Sequence, residues 1–321
     1  MLKRLGPVLL LFVLSPLVAE YLSGSMSMSQ IGYLPFMAML YGGGAVLIRE
    51  LARRTHRGWM TILFLGLAYG LLEEGIAIQT LFNPHFHGLR LLDYGFVPAL
   101  GIAVPWTVYV LTIHVVWSIM VPIALVEILF PRRRTEPWLG GAGFAVIALI
   151  YAAGIAIISA GIKQQEHFLA TPSQFEGAAL AVLMSVVLAF ILPLRRRAKE
   201  GDTLSPWIVA VAAFLAGSAF VFLFSFGSNT FHWPWEIVAG GMLALAIGIL
   251  QFSLIAARKS GWSDMHRFAL AAGGVLVYCW FGFFGEIGLH GKAMLWAHAV
   301  LVVAMLALLI VVGLRAKRSR A

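Results

Sequence analysis

Long runs of apolar residues, separated by short polar or basic segments, extend along almost the whole sequence. A helix of roughly 20 apolar residues crosses a hydrocarbon core about 30 Å thick, so each run is long enough to span a bilayer. About ten such windows are present, beginning near Leu5, Tyr33, Trp59, Val104, Leu139, Gly177, Pro206, Pro234, Arg267 and Lys292. The pattern predicts an all-α, polytopic integral membrane protein with about ten transmembrane helices.

The composition supports this fold class. Of 321 residues, 61% are hydrophobic and only 12% are charged, and the mean hydropathy of +0.91 exceeds that of soluble domains. The single cysteine, Cys279, lies in an apolar run and cannot form a disulfide framework. A net charge of +9 would suggest nucleic acid as the partner of a soluble protein, so the positions of the basic residues matter.

The basic residues occupy alternate loops, which indicates membrane topology. One side carries 20 of the 23 Lys and Arg residues, among them Arg49 to Arg57, Arg132 to Arg134, Arg195 to Lys199 and the two termini; the other side carries Arg90, Lys163 and Lys292. The positive-inside rule then predicts that both termini are cytoplasmic in a multi-pass protein of the cell membrane. The expected partners are the lipid bilayer and anionic head groups on its cytoplasmic face, and nucleic acid is excluded.

The first segment has two interpretations. Its basic start, apolar stretch and small residue Ala19 before Glu20 resemble a cleavable signal peptide. We interpret it as a retained helix. Cleavage would leave about nine spans and the same topology.

Polar residues within the spans are concentrated before residue 130. We therefore expect helices 1–4 (residues 1–130) to carry a candidate polar site and helices 5–10 (residues 131–321) to serve mainly as scaffold, within one continuous membrane domain. The chain shows no internal repeat of the kind found in inverted-repeat transporters.

The segment GLAYGLLEEG, residues 66–75, places two glutamates inside a predicted span. A charge in hydrocarbon must meet a partner, a proton or a water-filled cavity. Gly66, Gly70, Glu73, Glu74 and Ala77 recur at intervals of three or four, so they share a face of small and acidic residues. Small residues permit close helix approach, and the glutamates are therefore predicted to face protein.

Helix 4 carries a histidine at a comparable depth. Thr107, His114 and Ser118 fall on one stripe, and Pro122 removes the hydrogen bond that would otherwise occupy the Ser118 carbonyl. We predict that Glu73 and Glu74 converge with His114 in the outer half of the membrane. Glu20 of helix 1 and His298 of helix 10 lie at similar depths and are further candidates for the same pocket.

The polar loop after helix 3 offers Asn83, His85, His87, Arg90 and Asp93 as a lid, followed by an apolar segment expected at the membrane interface. Seven of nine histidines lie on the outer side. However, the sequence has no HExxH or comparable ligand pair, and the spacing of His85 and His87 is common in loops. Metal binding therefore stays unknown, and no cofactor is firmly implied.

Structural interpretations compete with these functional ones. Glu73 and Glu74 would serve as a helix lock, His114 as a neutral histidine bonded to a carbonyl, and Glu20 as a solvated helix end. Gly42 to Gly44 indicate close packing, and Arg49 with Glu50 indicate snorkelling at the cytoplasmic end of helix 2.

At Gly70, Glu73 and Glu74 the chain resembles the glutamate-pair motif of the CAAX-protease and bacteriocin-processing family of intramembrane proteases. The resemblance implies that glutamates activate water, that histidines on later helices assist, and that an asparagine or similar residue stabilises the oxyanion. It covers only helices 3 and 4. Ile78 stands where that family has arginine, Val110 stands where it has phenylalanine before His114, and Val302 follows His298 where it has Asn or Asp.

Three functions fit these residues. The favoured one is an intramembrane hydrolase with an outward-facing site, in which Glu73 or Glu74 is the general base and His114 its acid-base or orienting partner. The second is a proton- or cation-coupled transporter using the same carboxylates. The third is a non-catalytic membrane assembly protein.

Overall fold

The computed structural model describes residues 2–192, 201–228 and 230–318, with side chains from residue 5 onward. Within them, nine helices are long and apolar enough to cross a membrane, and a shorter one precedes them. They are α1 (Leu5–Tyr21), α2 (Met28–Arg54), α3 (Trp59–Ala77), α4 (Val104–Leu129), α5 (Gly141–Glu166), α6 (Pro172–Ile191), α7 (Pro206–Gly227), α8 (Trp235–Ala256), α9 (Asp264–His290) and α10 (Leu295–Arg318).

These helices confirm the predicted all-α, polytopic fold, and each begins close to a predicted window. The first is shorter than a standard span, yet it lies in the protein core, where Val8, Leu11, Leu14 and Val18 are buried. The basic run Arg195–Lys199 and Arg320 lie outside the described residues. The side that carries the α2–α3 and α4–α5 loops is called the basic side below.

Local sequence signals account for several helix starts. Thr171 accepts a hydrogen bond from the Gln174 backbone, and the Gln174 side chain accepts one from the Thr171 backbone, which forms a capping box before α6. Pro172 follows at the first helical position, where its missing N–H costs nothing. Before α7, Ser205 accepts a hydrogen bond from the Trp207 backbone, and Pro206 occupies the first helical position.

The helices divide into a central group and a lipid-exposed group. The windows of α2, α3, α4 and α9 are 50 to 61% buried, whereas those of α5 to α8 are 6 to 22% buried. The exposed helices consist mainly of Ala, Leu, Val and Gly on all faces, as expected for segments whose surface meets lipid. The polar side chains Tyr41, Glu73, Glu74 and His114 of α2 to α4 are buried within this central group.

Glycines set the closest approaches in the central group. An added Cβ at Gly42 would overlap the carbonyl oxygen of Phe12 on α1, and one at Gly44 would lie 2.6 Å from the Tyr69 ring on α3. This confirms the interpretation of these glycines as close-packing residues. On α3, Gly66 faces Ile119 of α4, and a Cβ at Gly70 would lie 3.1 Å from the Cβ of His114.

Each of the first four helices contains a π-helical segment: Leu17–Tyr21, Ala38–Gly42, Leu72–Ala77 and His114–Met120. The wider turn is visible in backbone bonds from Leu22 to Leu17 and from Ile78 to Glu73, five residues apart at 2.8 Å. Segments of this kind are rare and occur frequently at functional sites. The Ser118 carbonyl that Pro122 frees accepts a hydrogen bond from Ser15 of α1 at 2.6 Å.

The polar loop after α3 is attached to the end of α5. The Asn83 side-chain amide donates to Glu166 at 3.2 Å, and the His87 ring nitrogen lies 2.9 Å from the other Glu166 oxygen. The apolar segment that follows forms an antiparallel pair of two-residue strands, β1 (Phe96–Val97) and β2 (Ile102–Ala103), leading into α4.

Arg49 on α2 is buried, so its interpretation as a snorkelling residue is wrong. Its guanidinium donates to Glu50 at 2.9 Å and to Glu127 of α4 at 3.0 Å, and it lies 3.6 Å from the centre of the Trp138 ring. It also donates to three loop carbonyls, those of Arg133, Arg134 and Glu136. Glu50 is fully buried too and accepts from the Trp138 backbone at 2.7 Å. The network ties the α4–α5 loop to α2.

Replacing Arg49 with Ala should lower the free energy of unfolding by about 3–5 kcal/mol, because Glu50 and Glu127 would remain buried with less compensation. The measurement is chemical denaturation of the purified protein in detergent. Arg132, which is exposed, provides the control, and Arg132→Ala should stay within about 0.5 kcal/mol of the wild type. Equal effects of the two variants would contradict a stabilising network.

Replacing Gly42 with Ala should destabilise the protein by about 1–3 kcal/mol, because the new methyl group forces α2 away from α1. The matched variant is Gly161→Ala on the exposed face of α5, where nothing lies within 4 Å of the added Cβ. There the change should be neutral or stabilising by up to about 1 kcal/mol, since alanine favours the helix. Thermal unfolding of both variants in detergent tests the difference.

The topology is tested by labelling single cysteines in a Cys279→Ser background with a membrane-impermeant maleimide. A cysteine replacing exposed His85 should react in intact cells, because its loop is predicted to lie outside. A cysteine replacing exposed Arg132 should react only after lysis. The reverse pattern would overturn the predicted orientation.

Candidate functional site

The four π-helical segments bring five polar side chains of the first four helices close together. They carry Glu20 on α1, Tyr41 on α2, Glu73 and Glu74 on α3, and His114 on α4. Successive residues of an α-helix point roughly 100° apart, and the wider π turn reduces this angle. Neighbouring Glu73 and Glu74 therefore reach the same imidazole.

The predicted convergence of the glutamates with His114 is present in the structure. The Nε2 atom of His114 lies 3.2 Å from a Glu73 oxygen and 3.4 Å from a Glu74 oxygen. All three residues are buried, with 1, 3 and 4% of Glu73, Glu74 and His114 exposed. Bulk water therefore does not screen their charges.

The imidazole has a defined orientation. Its Nδ1 atom lies 2.7 Å from the Val110 carbonyl one turn earlier, and because a carbonyl only accepts, Nδ1 carries the proton. In a neutral ring, Nε2 then presents a lone pair. The Tyr41 hydroxyl, 3.5 Å away, can donate to that lone pair, and the two carboxylates lie beside it.

Glu74 is held by the chain that follows α3. One of its carboxylate oxygens accepts a hydrogen bond from the Thr80 hydroxyl, and Thr80 accepts one from the Trp106 indole at 3.3 Å. The turn that places Thr80 passes through Gln79, whose φ of +62° is uncommon for a non-glycine residue. The Gln79 side chain accepts from the Ala170 backbone at 2.7 Å, which secures this strained turn.

Two tyrosines complete the wall of the site. The Tyr41 hydroxyl lies 3.5 Å from Nε2 of His114, and the two rings stack with centroids 5.9 Å apart. The Tyr69 ring lies 6.0 Å from that of His114. The buried Tyr69 hydroxyl lies beside the Glu73 carboxylate, but within the described residues neither this hydroxyl nor the Glu73 oxygen facing His114 makes a hydrogen bond of good geometry.

Glu20 lies at the edge of this cluster. It neighbours Tyr41 and interacts electrostatically with Glu73 and His114. Its side chain is half-buried, and one oxygen accepts a hydrogen bond from Ser25 at 2.8 Å in the exposed α1–α2 connection. Glu20 thus combines the two expectations, since it is partly solvated at a helix end and adjoins the buried cluster.

His298 does not join the site. It is fully buried against Gly282 and Phe283, and its electrostatic neighbour is Glu286. Glu286 accepts a hydrogen bond from Ser27 at 2.7 Å. Thr107 lies on the stripe of His114 but bonds to the Ala103 carbonyl. The proposed lid residues Asn83 and His87 bond to Glu166, and exposed Arg90 pairs with Asp93.

Sequence reasoning missed Tyr41, Tyr69, Thr80 and Trp106. Tyrosine and tryptophan in an apolar run are typical packing residues. Thr80 falls within helix 3 as the sequence predicts it, from Trp59 to about Leu81, whereas the observed helix ends at Ala77. No spacing rule marks them. Their role depends on where the π-helical segments and the Gln79 turn direct them.

The arrangement unites two carboxylates and an imidazole around one point. One oxygen of each glutamate and one nitrogen of His114 all lie within 4.8 Å of one another, as in a group that could hold a metal ion. The same groups could share a proton or bind a water molecule. Each of these occupants would supply the donor or positive charge that the facing acceptors require.

Comparison with known proteins identifies a family of membrane proteins but no activity. No curated protein and no solved structure matches the chain. The resemblance to CAAX proteases at Gly70, Glu73 and Glu74 is not supported by these comparisons. A family model matches residues 9–321, nearly the entire sequence. On this match, the chain belongs to the family described as the uncharacterized membrane protein family.

Proposed function

We propose that this protein is an intramembrane hydrolase whose working groups are Glu73, Glu74 and His114. The observation that carries the proposal is the meeting of both carboxylates with Nε2 of His114, at 3.2 and 3.4 Å, in a buried site. Carboxylates in such a site can accept a proton from water, which is the first requirement of hydrolysis.

The reaction uses one water molecule. A glutamate accepts a proton from that water, and the hydroxide oxygen forms a bond to the carbonyl carbon of an ester or amide. The bond from this carbon to the leaving oxygen or nitrogen then breaks, and the leaving atom receives the proton. His114, fixed by its bond to Val110, orients the water and carboxylates.

The tyrosines supply donors for the negative charge that develops on the carbonyl oxygen. The Tyr69 hydroxyl is buried without a partner among the described residues, and the Tyr41 hydroxyl lies beside His114. Fixed donors in a dry site stabilise such an oxyanion strongly.

A groove runs between helices beside Tyr69. It has a volume of about 160 Å³ and lies between α2, α3, α5 and α6, with Gly44, Tyr69, Tyr151 and Val186 in its wall. Its lining is otherwise aliphatic, and α5 and α6 make few contacts with each other. A hydrophobic substrate segment could therefore approach Tyr69 from lipid.

The polar atoms without partners argue against a simple helix lock. A lock is expected to satisfy its buried groups, because each unsatisfied one costs about 1–3 kcal/mol. Here Glu73 and Tyr69 each leave one buried polar atom without a hydrogen bond of good geometry among the described residues, as Glu286 and His298 do elsewhere, and the Glu73 cluster differs in that it also contains a second carboxylate. Unpaired atoms of this kind are suited to meeting a water molecule or a substrate.

The orientation of the basic loops completes the proposal. With the basic side in the cytoplasm of a cell membrane, the site lies in the outer half of the bilayer and Glu20 lies toward the external surface.

The proposal is tested with Glu73→Gln and Glu74→Gln, which preserve shape but cannot accept a proton as a carboxylate does. The membrane peptides and lipids of cells producing each variant are compared by mass spectrometry with those of wild-type cells. At least one variant should accumulate a species that purified wild-type protein then cleaves in detergent, with a loss of rate of about 100-fold or more for the variant.

Glu286→Gln is the matched control, since Glu286 is also a buried intramembrane glutamate but lies outside the site. It should show no accumulation. Normal phenotypes and melting of both site variants would favour the structural interpretation. Loss of a pH-dependent ion flux in proteoliposomes, with no cleavage by the wild type, would instead indicate coupled transport.

A further inference from the structure

We infer that Glu73, Glu74 and His114 bind one divalent first-row transition-metal ion, of which Zn²⁺ and Mn²⁺ are the test cases. Acidic residues alone do not make a metal site. Here the cluster includes an imidazole with a lone pair directed into it and a Glu73 oxygen that is buried and unpaired among the described residues. The reaction chemistry assigned to the ion rests on the proposed function, whereas its binding does not.

The direction of the imidazole supports a metal over a simple ion pair. With the proton on Nδ1, Nε2 has no hydrogen to share with the Glu73 oxygen 3.2 Å away or with the Glu74 oxygen 3.4 Å away. Three acceptor atoms then surround one point, and a cation at that point would be bound by all three.

The separations also fit a shared ion. Ligand atoms about 2.0–2.1 Å from one metal and about 90–110° apart are separated by about 2.8–3.4 Å. The distances from Nε2 to the glutamate oxygens are 3.2 and 3.4 Å. Small movements of the Glu73, Glu74 and His114 side chains would place all three ligand atoms around one ion.

Outer contacts orient the ligands as they do in metal sites. A metal-binding histidine usually donates its other ring N–H to a carbonyl or carboxylate, and ligating carboxylates are hydrogen-bonded in turn. His114 donates to the Val110 carbonyl at 2.7 Å, and Glu74 accepts from Thr80. Thr80 is itself fixed by Trp106.

The charge balance favours a divalent ion. Two carboxylates and a neutral imidazole carry a net charge of −2, which is costly in a buried site inside a membrane. One proton would leave the trio negative, whereas a divalent ion makes it neutral. Imidazole favours ions such as Zn²⁺, and carboxylates also accept Mn²⁺, so mixed ligands select the first-row transition class.

Such an ion would polarise a bound water molecule so that it yields hydroxide near neutral pH. The proton would pass to a carboxylate oxygen that does not bind the ion, and the hydroxide oxygen would form a bond to the substrate carbonyl carbon. The bond from this carbon to the leaving oxygen or nitrogen would then break, and the leaving atom would receive that proton. The Tyr41 hydroxyl, 3.5 Å from Nε2, lies where it can bond to this water.

Full-length protein is purified in detergent, stripped with chelator and dialysed against Zn²⁺ or Mn²⁺, and bound metal is measured by elemental mass spectrometry. We expect one ion per chain for the wild type. Glu73→Gln and His114→Gln should bind at least about tenfold more weakly. X-ray absorption of the Zn²⁺ form should show nitrogen and oxygen ligands at about 2.0 Å.

The matched controls are Glu286→Gln and His298→Gln, which alter a buried glutamate and a buried histidine outside the cluster. Both should retain the ion. Size-exclusion profiles and melting temperatures without metal identify variants that fail to fold, and added Zn²⁺ should raise the melting temperature of wild type but not of His114→Gln. Equal binding by wild type and His114→Gln would overturn the inference.

The two proposals fail separately. If metal-free protein cleaves its substrate in a reaction that depends on Glu73, the role of the ion in the reaction is contradicted and the hydrolase proposal stands. If the protein binds one ion tightly but cleaves no substrate, the metal site stands and the hydrolase proposal is contradicted.

Discussion

The site depends on the need to neutralise two adjacent carboxylates in a medium that solvates charge poorly. Glu73 and Glu74 are each less than 5% exposed, and within 3.4 Å of their oxygens lies a ring nitrogen that acts as an acceptor when the ring is neutral. Acceptors that face one another require a proton or a cation between them. The orientation of His114, the turn at Gln79 and the positions of the tyrosines are consistent with this requirement.

Close packing and widened turns act together to assemble the site. Gly42 allows α2 to reach α1, and Gly70 allows α3 to reach α4 beside His114. The π-helical segments then rotate polar side chains toward the space between these helices, although the backbone stays hydrogen-bonded, as lipid demands. Stability and function are thus linked, because the glycines that permit tight packing also position the carboxylates.

A second group of buried carboxylates is neutralised in a different way, by arginine side chains of the same chain. Glu50 and Glu127 meet Arg49 and Arg53, and loop backbone groups complete the network at the basic side. Their charges are compensated by permanent cations of the chain, which suits a structural connection. Among the described residues, the basic side chain grouped with Glu73 and Glu74 is the imidazole of His114, and buried polar atoms there remain unpaired. The cost of burying carboxylates is offset by arginines of the chain at Glu50 and Glu127. At Glu73 and Glu74 an added cation would offset it.

The sequence by itself determined the membrane fold, the approximate start of each helix, the face shared by Gly70, Glu73 and Glu74, and the pairing of that face with His114. These features follow from apolar length, basic loops and helical periodicity, which are local properties of the chain. Only the tertiary structure decided that Arg49 is buried, that His298 lies apart, and that Tyr41, Tyr69 and Thr80 border the site. Those outcomes depend on π-helical segments, on a left-handed turn at Gln79 and on contacts between residues far apart in sequence. No periodic pattern encodes them, because a one-residue widening of a helical turn redirects every side chain that follows it.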